Sequence, residues 1–243
     1  MDLYFHVLLL AAIPAGANFL GGVLAEIRPV SQKTLNLTLH GAAGVVLAVV
    51  SIELIPDALE AERAWVSLIA LLVGTLAFVG LDHSLHIVQS RVSGRSVSRG
   101  AWMIFLAVAI DLFSDGIMIG TGSTLSTTLA FLLALAQAPA DLPEGFATIA
   151  RFRSEGMSRR NRLLLSAGFA LPIFLGATIG YFGLRGAPLV ARLAVLAFTA
   201  GILMTLVVEE IIPVAHDENE SHFAAVIFMA GFVLFTALSL YVD

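Results

Sequence analysis

STTLAFLLALAQAPADLPEGFATI, residues 126–149, has the length and apolar character of a membrane span, yet it carries Gln137, Asp141 and Glu144 and no basic residue. About 20 helical residues cross the hydrocarbon of a bilayer. A charged side chain at its centre costs about 2.5–3.5 kcal/mol on insertion scales, so each acid there needs a compensating partner or a function. Asp141 and Glu144 are three apart and stack on one helix face. Pro143 lies between them and frees the carbonyl of Pro139, which predicts a kink where the acids lie. Irregular backbone at that depth is tolerated where it is buried in protein or lines a cavity.

The rest of the chain is built the same way. It is 58% apolar and 13% charged, against roughly 45–50% and about 25% for soluble proteins, and its mean hydropathy is +0.94, so a lipid bilayer is the expected solvent. Apolar runs at about 3–25, 39–56, 65–87, 102–122, 126–149, 163–184, 189–213 and 222–241 predict eight transmembrane helices. The 243 residues then leave no room for a soluble domain, and 1–243 reads as a single transmembrane domain. The first run has no basic stretch before it and a poor cleavage site at Ala11-Ala12-Ile13-Pro14-Ala15, so it reads as a retained span rather than a signal peptide. With no cysteine, disulfides and thiolate ligands are excluded, and a metal must be held by carboxylate, imidazole, amide or thioether. Nothing resembles a nucleic-acid footprint.

Basic residues orient the chain. Arg28 and Lys33 fall in the first loop, Arg91, Arg95 and Arg99 in the third, and Arg151, Arg153, Arg159, Arg160 and Arg162 in the fifth. Only Arg63 in the second loop and Arg185 and Arg192 in the sixth oppose them. The positive-inside rule then puts odd loops in the cytoplasm and both termini outside a cytoplasmic membrane. The acidic seventh loop, His216 to Glu220, dissents mildly.

Aligned without gaps, Ala43, Gly44, Val50, Glu53, Ile55, Pro56 and Ala58 of the second span fall on Ala200, Gly201, Val207, Glu210, Ile212, Pro213 and Ala215 of the seventh. Two such spans run in opposite directions, so the match predicts an inverted repeat. Repeat one covers about 3–87, repeat two about 163–241, and the central helices, about 102–149, lie where a substrate site is expected, giving a 3+2+3 arrangement.

The central helices hold the acids. Asp111 and Asp115, four apart in the fourth span, share a face, as do Asp141 and Glu144 in the fifth. Glu53 ends the second span, where an interfacial position is also open to it. Glu209 and Glu210 in the seventh span point about 100° apart on a helix, and the repeat selects Glu210 as the inward one. Each acid singly could be protonated and hydrogen-bonded across helices; the two pairs together point to a cation or proton pathway. His83 and His86 beside Asp82 have a metal-compatible spacing but read as a solvated helix end, and His216 and His222 as a solvated loop. His40 reads as interfacial and His6 has no evident partner. Met118 and Met204 read as packing residues, and Asn18, Gly21 and Gly22 as small groups permitting close helix contact. No His-Glu-x-x-His, phosphate-binding glycine loop or Gly-x-Ser-x-Gly is present, so no enzyme is indicated. Asp111 or Asp115 facing Asp141 would imitate an intramembrane aspartyl protease.

At these residues the chain resembles the ZIP (Zrt/Irt-like) family of divalent-metal transporters, especially its short prokaryotic members. Asp141-Leu142-Pro143-Glu144-Gly145 is similar to the family's fifth-span motif, Val207 to Pro213 to its seventh span, and Gly44 to Ala58 to its second. The resemblance implies an eight-span bundle, often dimeric, that moves Zn²⁺, Fe²⁺, Mn²⁺ or Cd²⁺ toward the cytoplasm through a two-metal site between spans four and five. Asp111, Asp115, Asp141 and Glu144 would share the metal, with Glu210 adjoining and Glu53 at the entrance. The fourth span departs from the family's His-Asn-x-Pro-Glu-Gly. Asp111 stands for the His ligand, Leu112 removes the Asn, and Asp115 shortens the Glu; Ala140 stands where the fifth span has His or Gln. Carboxylate in place of imidazole hardens the site toward Mn²⁺, Fe²⁺ or Mg²⁺. The alternative is a ZIP-like protein that senses metal or serves a structural role without transporting.

Overall fold

The computed structural model describes residues 3–27, 31–59, 62–92, 97–212 and 223–242, with side chains at all of these except 32, 82, 85–92, 97–103, 210 and 211. Among the described residues the chain is helical and contains no strand. The helices are α1 (Leu3–Ile27), α2 (Gln32–Val49), α3 (Ile55–Leu59), α4 (Ala64–Val92), α5 (Val97–Gly122), α6 (Thr127–Ser154), α7 (Arg159–Gly168), α8 (Ala170–Leu184), α9 (Leu189–Leu206) and α10 (Ala224–Val242). A π-helical turn, Val50–Leu54, fuses α2 to α3, and another, Val207–Ile211, extends α9. With α7 and α8 abutting at Phe169, these make eight rods.

Several rods start or end beyond the apolar runs, because side-chain caps and not hydropathy set their ends. Ser31 accepts the amide of Thr34 at 3.1 Å, so the second rod begins at Gln32 rather than near 39. Ser126 caps α6 through the amides of Thr128 and Leu129, and Ser158 caps α7 through Asn161. Arg192, counted with the sixth loop although it falls within the predicted run 189–213, lies inside α9 and donates to the carbonyl of Thr124 at 2.6 Å, tying the fourth loop to the start of α9.

Both π turns precede a proline in sequence, Pro56 and Pro213. A proline lacks the amide hydrogen and its ring crowds the carbonyl four residues back. At Pro56 a widened turn relieves that clash, and in the two turns the amides of Ile55 and Ile212 reach back five residues to the carbonyls of Val50 and Val207. In α6, by contrast, the helix runs through both Pro139 and Pro143.

Seven of the rods are long and apolar enough to cross a membrane, the exception being the one formed by α6. The apolar side chains of the outer rods face outward: Leu68, Leu72 and Leu76 on α4, Leu171 and Leu175 on α8, and Val233, Leu234 and Leu240 on α10 are all exposed. Asn18, Asp115, Gln137 and Asp141 are buried inside. Apolar outside and polar inside is the arrangement a bilayer selects, and the chain is an all-α membrane protein.

Helices associate in four close pairs, α1 with α6, α5 with α8, α4 with α9 and α2 with α10. In every pair glycine brings two backbones into contact, as small residues do where packing rather than hydrophobicity drives association. A β-carbon added at Gly21 would lie 1.9 Å from the Leu142 carbonyl oxygen, and one at Gly145 1.9 Å from that of Asn18. In α5·α8 the same role falls to Gly176 against Phe113 and Gly116 against Ile173. In α2·α10, Gly44 meets Phe228 and Gly231 meets Gly41; in α4·α9, Gly201 meets Leu71 and Gly74 meets Phe198. Positions 44, 71, 74 and 41 are separated from 201, 228, 231 and 198 by one constant interval, so the contacts of the second pair are those of the first transposed along the chain.

At one end of the bundle Glu26 of α1 is almost fully buried, its side chain 3% exposed, and is gripped by Arg162 of α7. The Arg162 Nη2 and Nε donate to its two carboxylate oxygens, the former at 2.9 Å, with Arg153 at 3.4 Å and Arg159 at 3.6 Å. Arg153 also donates to the Ala25 carbonyl at 2.7 Å. A bidentate guanidinium–carboxylate pair fixes the mutual orientation of the helices that carry it.

Two outcomes test this packing. Gly74→Leu should lower the melting temperature of the detergent-solubilised protein by an amount equivalent to about 1–3 kcal/mol or more of overpacking, while Gly183→Leu, where nothing lies within 4 Å of the added carbon, should leave it unchanged. Arg162→Met should cost about 1.5–3 kcal/mol, the loss of charge-assisted hydrogen bonds to Glu26 with Arg153 and Arg159 still beside it, measured as the loss of the folded fraction on size-exclusion chromatography after graded heating.

Candidate metal centre

Helix spacing and antiparallel packing assemble the acids. Asp111 and Asp115 are one turn apart on α5, and Gln137, Asp141 and Glu144 recur at four and three residues on one face of α6. Because the helices run in opposite directions and pack together, the Asp111 end of α5 meets the Glu144 end of α6, and the Asp115 end meets Gln137.

One carboxylate oxygen from each of Asp111, Asp141 and Glu144 lies within 4.8 Å of the other two. Oxygen ligands sit about 2.0–2.2 Å from Mg²⁺ or Zn²⁺, so oxygens on opposite sides of such an ion are about 4–4.4 Å apart. Small side-chain rotations would close this set on one ion. Asp141 is 2% exposed and its Oδ2 has no hydrogen-bond partner. The charged groups that bear on it, Asp115, Glu144 and Asp111, are all acidic. A buried carboxylate among carboxylates needs a cation or protons for compensation.

Asp115 does not join this trio. It is buried one turn further along α5, where it faces Gln137. Gln137 is 2% exposed; its amide interacts with the Asp115 carboxyl, but at a geometry too loose for a well-formed hydrogen bond. On the other flank, fully buried Asn18 of α1 donates from Nδ2 to the Glu144 Oε2 at 3.0 Å. Sequence reasoning treated Asn18 only as a small residue at a helix contact. The contact is there, through its carbonyl against Gly145, but the side chain also orients an acid. An amide in a span that also carries Gly21 and Gly22 was the available signal.

The remaining candidates are dispersed. Glu53 lies in the first π turn, half-buried, and accepts a hydrogen bond from Ser239 of α10. Glu209 lies in the second π turn and is exposed; the side chain of Glu210 is outside the described residues. His83 and His6 are exposed, while the side chains of Asp82 and His86 and the whole of His216 and His222 lie outside the described residues. His40 is buried, its Nδ1 2.9 Å from the Asn36 carbonyl oxygen. Met118 belongs to the apolar core and Met204 packs against it.

Comparison with known proteins bears on the same region. A family model described as ZIP Zinc transporter matches residues 81–239. The zinc transporter ZupT of Shigella dysenteriae serotype 1 (strain Sd197) is 28% identical over 223 residues, covering 86% of this chain and 86% of its own. The ZupT proteins of Escherichia coli K12 (DH10B) and O157:H7 (EC4115) match to the same extent. The family match runs from the end of α4 through α10 and takes in the whole acidic face of α5 and α6, and this chain belongs to the ZIP zinc transporter family.

Proposed function

We propose that this protein carries divalent metal ions across the cytoplasmic membrane through the carboxylates between α5 and α6. The observation that carries the reading is the convergence of Asp111, Asp141 and Glu144 within 4.8 Å, with only acids bearing on the buried Asp141. Asp111, Asp115, Asp141 and Glu144 are the proposed metal ligands, Glu209 and Glu210 adjoining acids on the second π turn, and Glu53 an entrance residue on the first. The relatives are named zinc transporters, so Zn²⁺ is one expected cargo. Asp111 and Leu112, where the family has His and Asn, make the donor set almost wholly carboxylate, and such a set raises the standing of Mn²⁺ and Fe²⁺ against Zn²⁺.

The transport cycle we infer uses an inverted repeat of three spans on each side of α5 and α6. Its support is the transposed set of glycine contacts in α2·α10 and α4·α9, and the π turn each repeat contributes ahead of a proline. Orientation follows from charge. The arginines around Glu26 belong to the end of the bundle that the positive-inside rule assigns to the cytoplasm, and Arg192 with Thr124 to the opposite end. In that orientation the half-exposed Asp111 and Glu144 face the cytoplasm and the buried Asp115 and Gln137 face outward. We read this arrangement as the inward-facing state of an alternating-access carrier.

Uptake of Mn²⁺, Fe²⁺, Zn²⁺ and Cd²⁺ into proteoliposomes tests the proposal. Saturable flux should be present in the native protein and lost in both Asp141→Ala and Glu144→Ala; absence of flux of every metal by folded protein would favour a ZIP-like scaffold that binds metal without moving it. Asn18→Leu, which removes the amide that orients Glu144 without removing a ligand, should lower uptake at subsaturating metal by about 10–100-fold, and native uptake in that variant would remove Asn18 from the site.

A further inference from the structure

Gln137 is placed as a ligand would be. It lies on the same face of α6 as Asp141 and Glu144, one turn further from the half-exposed end. It is buried to 2% exposure, neither end of its amide closes a well-formed hydrogen bond, and the group it interacts with is the Asp115 carboxyl across the α5–α6 contact. A buried amide held by one loose contact is under-satisfied, and a cation drawn in between Gln137 and Asp115 would satisfy it. The symmetry of the helix contacts sharpens the point. Gly21 on Leu142 and Gly145 on Asn18 correspond to Gly176 on Phe113 and Gly116 on Ile173, and the same correspondence matches Asp115 to Glu144. Glu144 has the amide of Asn18 beside it; the position matching Asn18 is Ile173, which is fully buried and apolar. Asp115 therefore receives no amide from the neighbouring helix, and the one it faces comes from Gln137 on α6.

We propose that the Gln137 Oε1 is a metal ligand, binding the ion together with Asp115 and the unpaired Asp141 Oδ2 at the end of the site away from Asp111 and Glu144. A carboxamide supplies a hard, neutral oxygen donor of the kind Mn²⁺ and Mg²⁺ accept, and adds no further negative charge to a site already crowded with it. Gln137 thereby acts as a selectivity determinant at the outward end of the pathway. The inference rests on the transport reading above and deepens it.

Equilibrium binding of Mn²⁺ and Zn²⁺ to the purified full chain in detergent, by dialysis with elemental analysis, separates the two. Gln137→Leu should lose one bound Mn²⁺ or at least about tenfold in Mn²⁺ affinity, while Gln137→His, which puts imidazole at the same place, should raise Zn²⁺ affinity relative to Mn²⁺. A side chain that only fills space would not produce that change of preference. Unaltered stoichiometry, affinity and metal preference in both variants, with native chromatographic behaviour, would overturn the role of Gln137 and leave the transport proposal intact; failure of the native chain to bind either metal would overturn both.

Discussion

Carboxylates cannot be left in hydrocarbon, and the architecture of this protein follows from where it keeps them. The rod formed by α6 is the one not apolar enough to cross a bilayer on its own character, because it carries Gln137, Asp141 and Glu144 on one face and two prolines within its length. It is held inside the bundle by α1 on one side and by α2 and α5 on others. Gly21 and Gly145 let α1 approach until backbone meets backbone, which brings Asn18 within 3.0 Å of Glu144. The same closeness that excludes lipid from the acids therefore supplies one of their hydrogen-bond donors.

Outward from that helix the demands relax in order. Helices α2 and α9 contribute the apolar core through Val46, Val49, Leu196 and Leu203, while α4 and α10 present leucine and valine to the lipid. Stability at the bundle end comes from another source, the Glu26 carboxylate held by arginines of α6 and α7. That cluster joins α1, which supplies Asn18, to α6 and α7, so the ends of the helices flanking the acids are fixed to each other.

Much of this was legible in the sequence, for identifiable reasons. Span length and apolar character located seven of the eight rods, α6 falling short of the apolar character expected of 126–149, and the spacings 111/115 and 141/144 put each pair on a helix face, because helical periodicity is local information. The likeness of Glu53-x-x-Pro56 to Glu210-x-x-Pro213 flagged two segments that both widen into π turns. What the sequence did not reveal is lateral register between helices. Nothing local to Asn18 indicates that α1 lies against α6, and nothing in 111 to 115 indicates that Asp111 rather than Asp115 comes within 4.8 Å of Asp141 and Glu144. Rod ends were misjudged where serine caps extend helix into polar sequence, at Ser31 and Ser158. Glu26 went unremarked because its partners lie more than a hundred residues away.

The central claim is that a divalent cation compensates these buried acids. Anomalous diffraction from crystals grown with Mn²⁺ addresses it directly: the account predicts a peak between the α5 and α6 carboxylates, bounded by Asp111, Asp141 and Glu144 or by Asp115 and Asp141, whereas an ordered α5–α6 core with no anomalous peak there at saturating Mn²⁺ would contradict it.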